Sequence, residues 1–180
     1  MTHTKKTALC GIFTGLSLAL MWVGSFVPSL DYALPAAAGM LVFLLVQELG
    51  PGWPAGVYVA TSVLAALLLP NKSIALFYIM FFGNYPVLRW LFERKLPKGI
   101  AWLCKFAVFN ITMISAYFLA VQVFGIELSD FGTFGQYAGL FMIVLGNATF
   151  VIYDAMILSS FEAMYSKRWQ KKLRHLLNSG

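Results

Sequence analysis

The stretch Phe82–Lys98, FGNYPVLRWLFERKLPK, decides how the whole chain is expected to fold. Its first residues close a long apolar run that Asn84 and Pro86 interrupt. Its later residues include Arg89, Glu93, Arg94, Lys95 and Lys98, charges that hydrocarbon does not accept. An apolar helix that reaches such a cluster stops at a membrane surface, and excess Lys and Arg mark that surface as cytoplasmic. One stretch therefore predicts a membrane exit, an orientation and a polar kink at mid-membrane depth.

Composition agrees with this reading. Of the 180 residues, 60% are hydrophobic and 11% charged, and the mean hydropathy is +0.77. Soluble domains carry roughly 25% charged residues. The expected class is an all-α polytopic membrane protein. The net charge of +6 does not point to nucleic acid, because the Lys and Arg sit in short loops and a tail. There they act as topology signals and contacts for anionic lipid headgroups. Cys10 and Cys104 lack a CxxC spacing and clustered His, so neither a disulfide nor a metal site is expected. Lys5 and Lys6 precede an apolar run as in a signal peptide, but Thr7–Val27 has the length of a span, about 20 residues. It reads as an uncleaved first helix.

Outward from the deciding stretch, six spans are expected: Thr7–Val27, Pro35–Leu49, Ala55–Leu69, Ile74–Phe92, Gly99–Phe124 and Tyr137–Tyr165. They make a transmembrane domain over residues 1–165. The turn GPGWP, Gly50–Pro54, separates the second and third spans sharply, as paired Gly and Pro do. The loops Pro28–Leu34, Pro70–Ser73 and Gly125–Gln136 fall outside, the last with Glu127 and Asp130. Residues 166–180 then form a basic amphipathic tail on the cytoplasmic headgroups, with Trp169, Leu173, Leu176 and Leu177 on one helical face. In this arrangement Lys72 alone of the 13 Lys and Arg lies outside, and both termini are cytoplasmic.

Polar groups inside a bilayer need a partner or a function. Asn84 and Asn147 lie about 11 residues from the outer ends of their spans and Asn110 about as far from the inner end of its own, one depth at 1.5 Å per residue. Facing inward, the three line a polar pocket. Turned to one another, they are interhelical hydrogen bonds, and depth alone allows either. Arg89 and Asp154 share a level nearer the cytoplasm and form an expected ion pair, structural or a lock that changes partner. Glu162 falls within reach of Lys98 or Lys105. Thr7, Gly11, Gly15 and Ala19 recur every four residues as a small-residue ridge, suited to packing within the bundle or to docking a partner. There is no GxxxxGK[ST] and no HExxH, and the two His, His3 and His175, lie in the tails. No catalytic residue or cofactor is expected. An enzyme built on the carboxylates of Asp154 and Glu48 and a stand-alone channel or carrier are minor alternatives.

Six short spans without an ATPase motif resemble the S component of energy-coupling factor (ECF) transporters, the substrate-binding membrane subunit of prokaryotic vitamin importers. The matching residues are Gly11, Gly15 and Ala19 on the first span, Asp31 before Pro35–Ala36, and Gly50–Pro51 with Gly56. The ridge carries Gly where the family commonly has Ala, and the outer loop Pro28–Leu34 is short for a lid. The resemblance implies a vitamin or similar micronutrient bound from outside. It implies coupling through Gly11, Gly15 and Ala19 to a separate transmembrane subunit, and two ABC ATPase subunits that drive release. The substrate contacts expected from depth are Asn84, Asn110 and Asn147, with Tyr85 and Trp22 as stacking partners. The alternative is a non-catalytic membrane adaptor or assembly protein without a small-molecule substrate.

Overall fold

The computed structural model describes residues 2–27, 30–124 and 138–158. Among these residues every regular element is helical. They are α1 (His3–Gly24), α2 (Ala33–Leu49), α3 (Gly52–Leu68), α4 (Lys72–Phe77), α5 (Tyr85–Lys95), α6 (Lys98–Phe124) and α7 (Ala138–Val151). Two π-helical turns, Tyr78–Phe82 and Ile152–Leu158, continue α4 and α7. Because α4, the first π turn and α5 run on as one rod, Lys72–Lys95, the elements form six helices. The outer loop 125–136, Glu162 and the tail 166–180 lie outside the described residues.

The breaks between helices follow from local chemistry. Gly50, at φ 75° and ψ −176°, ends α2 in a region that only glycine occupies without strain. Pro51 then caps α3, which starts at Gly52 rather than at the expected Ala55. Asn71 begins α4 by accepting a hydrogen bond from the Ser73 backbone N–H at 3.0 Å. The same side chain donates to Asp31 at 3.1 Å and ties the turn before α2 to the turn before α4. Pro86 sits in the first turn of α5, where its missing N–H costs least. The rod accommodates it by widening beforehand, with the Gly83 N–H reaching the Tyr78 carbonyl at 2.8 Å.

The hub is α2, which packs on α1, α3, α4, the first π turn and α5. Its buried residues Pro35, Ala38, Gly39, Val42, Phe43 and Val46 recur at three- and four-residue steps. Val42 and Val46 enter an aliphatic cluster with Met21, Ala65, Leu69 and Ile74. Phe43 enters an aromatic one with Phe81, Tyr85, Phe109, Phe150 and Tyr153. The close approach of α2 to the π turn depends on Gly39. A Cβ there would overlap the Phe82 backbone carbonyl, which has no freedom to rotate away.

The outer surface reverses the pattern that water selects. Ile12, Leu16 and Val23 of α1, Val59, Val63 and Leu67 of α3, and Ile111 and Ile114 of α6 are exposed. Arg89, Lys105 and Asp154 are buried. Soluble proteins almost never bury such residues unless they are paired. Two helices, His3–Gly24 and Lys72–Lys95, are long and apolar enough to cross a membrane.

Gly39→Ala should destabilise the chain by about 1–3 kcal/mol, since neither helix can yield locally. Gly11→Ala, with nothing within 4 Å of its added Cβ, should be neutral or stabilising by up to about 1 kcal/mol. Unfolding of the two purified variants beside the parent checks the contrast.

Candidate functional site

Three helices bring ionised side chains to one place below the aromatic cluster. On α5, Tyr85, Arg89 and Glu93 follow at four-residue steps and share a face. Lys105 comes from α6. Asp154 comes from the second π turn, whose wider winding shifts side-chain register relative to an α-helix. Arg89 Nε donates to Asp154 Oδ1 at 2.8 Å, and Lys105 Nζ donates to Asp154 Oδ2 at 3.0 Å. Tyr85 donates its hydroxyl to Asp154 Oδ1. Glu93 Oε1 accepts from Lys105 Nζ at 2.6 Å and pairs with Arg89 Nη2 at 3.1 Å.

The members differ in their access to solvent. The side chains of Arg89, Lys105 and Asp154 are 4%, 3% and 2% exposed, against 34% for Glu93. The cluster is therefore sealed on the side of Asp154 and opens at Glu93. Its walls are rings: Arg89 lies over Phe43 at 5.4 Å, and Lys105 over Trp102 at 4.9 Å. Next to it, Tyr85 stacks on Phe81, and Phe109 on Phe150, with ring centres 4.8 Å apart in both pairs. Such an apolar surround strengthens each ion pair and raises the cost of breaking one.

The residues expected to meet substrate take separate places. Asn110 and Asn147 bind each other reciprocally, at 3.0 and 3.1 Å. Each also donates at 2.8 Å to the carbonyl one turn before it, Phe106 or Ile143. Asn84 turns to its own helix and donates to the Met80 carbonyl at 3.0 Å. Tyr58 supplies the neighbouring Ile79 carbonyl at 2.9 Å, so side chains satisfy two backbone acceptors of the first π turn. Asn84 keeps one buried acceptor without a partner, Oδ1. The buried hydroxyls of Tyr78, in the same π turn, and of Thr61 on α3 also have no hydrogen-bond partner among the described residues. Tyr85 lies in the ion cluster, and Trp22 is on the outer face of α1, edge-on to Phe26.

Among the described residues, nothing packs on the small-residue ridge. Thr7, Gly11, Gly15 and Ala19 are all exposed, and nothing approaches within 4 Å of a Cβ built on either glycine. The face of α1 that packs inward carries Ser17, Met21 and Gly24 instead. Cys10 and Cys104 are both free, and no three metal-ligating residues cluster among those described.

The sequence reading paired Arg89 with Asp154 but missed Glu93, Lys105 and the Tyr85 hydroxyl as parts of the same cluster. The four-residue spacing of Tyr85, Arg89 and Glu93 was the available signal. Nothing local pointed Lys105 toward Asp154. No protein-family model, curated protein or solved structure matches this chain.

Asp154→Asn should cost about 3–5 kcal/mol, because it leaves Lys105 buried with half of its counter-charge removed. Glu93→Gln, at the open edge, should cost about 1 kcal/mol or less. Unfolding curves of the two variants measure the difference, and equal losses would contradict a cluster sealed at Asp154.

Proposed function

We propose that this chain is a multi-pass protein of a prokaryotic plasma membrane, with six transmembrane helices and both termini in the cytoplasm. Its exposed apolar faces then meet lipid, and its buried charges satisfy one another where water is absent. Within that membrane we read it as the substrate-binding subunit of an ECF-type importer for a vitamin or similar micronutrient. A separate transmembrane coupling subunit and ABC ATPases complete the transporter.

The observation that carries this reading is the outward ridge of α1. Gly11, Gly15 and Ala19 remove side-chain bulk from a helix face that none of the described residues covers. Close helix contact in lipid depends on small residues at the crossing point, so the ridge suits another protein's helix. The ligand half of the reading rests on the first π turn, where Asn84 Oδ1 and the hydroxyls of Tyr78 and Thr61 retain hydrogen-bonding capacity. A small polar molecule held there would touch Asn84 and not the Asn110–Asn147 pair.

One observation favours the second reading, a membrane adaptor without a small-molecule substrate. Asn110 and Asn147 already satisfy each other, so two of the three asparagines counted for a pocket act as interhelical bonds. An adaptor would use the same ridge and need no ligand.

The test is purification of the tagged chain from its native membrane in mild detergent, with mass spectrometry of co-purifying proteins and released metabolites. An ATPase pair, a larger membrane subunit and a stoichiometric metabolite are expected. Protein partners without a metabolite would favour the adaptor, and neither ATPases nor a ligand would end the importer reading. Gly15→Leu should abolish recovery of the partner while leaving the melting temperature of the isolated chain unchanged, because Gly15 borders open space. Full partner recovery would remove the ridge from the interface.

A further inference from the structure

The ion cluster is closed at Asp154 and open at Glu93, and the surroundings of that opening are basic. Arg94, Lys95 and Lys98, within five residues of Glu93 along the chain, are exposed and have no carboxylate partner among the described residues. No acidic residue stands in the first turn of α6, so the free N–H groups of a 27-residue helix add to the positive field. Two tryptophans mark the depth. Arg94 lies over Trp90 at 4.6 Å and Lys105 over Trp102 at 4.9 Å. Tryptophan with a neighbouring cation is the side-chain pattern of the headgroup level of a bilayer.

We infer that this opening is an anionic-lipid headgroup site, in which Glu93 is a tethered carboxylate holding the position of a lipid phosphate. The inference rests on the membrane reading above. Glu93 fits the role because a single oxygen, Oε1, receives Lys105 at 2.6 Å and Arg89 at 3.1 Å, while the rest of the residue reaches the surface. A phosphate oxygen can accept the same two donors, and the exposed Arg94, Lys95 and Lys98 are placed to hold its remaining charge. Asp154 stays with Arg89, Lys105 and Tyr85 when Glu93 swings out, so the exchange leaves the sealed part of the cluster intact. Lipid is the source of phosphate present at tryptophan depth. A free anion would have to reach the site from solution.

The experiment uses the full chain in mixed micelles of phosphatidylglycerol and phosphatidylcholine, with retained lipid counted by native mass spectrometry. Glu93→Gln should raise phosphatidylglycerol retention about fivefold, the factor for one further basic charge available to an anionic headgroup. Adding Lys105→Gln to that variant should abolish the gain, and Lys98→Gln alone, at an exposed position, should lower retention by the parent chain. Unchanged or reduced retention in Glu93→Gln, or a gain that survives Lys105→Gln, would overturn the inference. So would displacement of the lipid by inorganic phosphate, which would make this a site for free anions. Release of the chain from native membranes by alkaline carbonate would overturn the membrane reading itself. A chain that resists carbonate yet shows none of the retention changes overturns the headgroup site alone.

Discussion

An ionised carboxylate that is 2% exposed must be answered by donors on all its sides. Asp154 is answered by Arg89 and Tyr85 at one oxygen and by Lys105 at the other. These donors come from α5 and α6, so the charge on the turn that continues α7 is satisfied only when both stand against it. Arg89 in turn rests on Phe43 of α2, which joins the cluster to the hub of the bundle. Loss of any of these placements leaves a charge among aromatic rings. That penalty couples the positions of four helices.

The same economy of polar groups explains the first π turn. Widening the helix ahead of Pro86 removes regular partners from its carbonyls, and an apolar surround offers no water to replace them. Asn84 and Tyr58 supply the hydrogen bonds at Met80 and Ile79. Gly39 lets α2 come close enough to seal the turn. Aromatic packing around Phe81 then fills the space between the turn and the ion cluster. Kink, glycine and ring stack form one mechanical unit directly above the charges.

Against this interior stands the outer face of α1. Its small residues contribute nothing to the described bundle, and its large ones, Ile12, Leu16 and Val23, point away from it. A helix that spends its smoothest face on its surroundings is shaped for another helix in lipid. The proposed importer and the adaptor agree on that point. They differ over whether the oxygens left unfilled around the π turn receive a substrate.

Much of the fold was legible in the sequence because it depends on local rules. Apolar run length set the helices, Gly50–Pro51 set the turn after α2, and Asn84 with Pro86 announced an irregular rod. Each of these acts within a few residues of itself. The Arg89–Asp154 pair was legible through depth, since both fall at one level when helices alternate direction. The remainder depended on rotation about the helix axes. In helices apolar almost all round, hydrophobic periodicity does not choose which face turns inward. Only the tertiary structure turned Gly11 and Gly15 outward, closed Asn110 on Asn147, and aimed Lys105 at Asp154 and Glu93. It decided these because burying a charge or an amide among apolar neighbours is tolerable only against a complementary group, and that group lies on another helix, far along the chain.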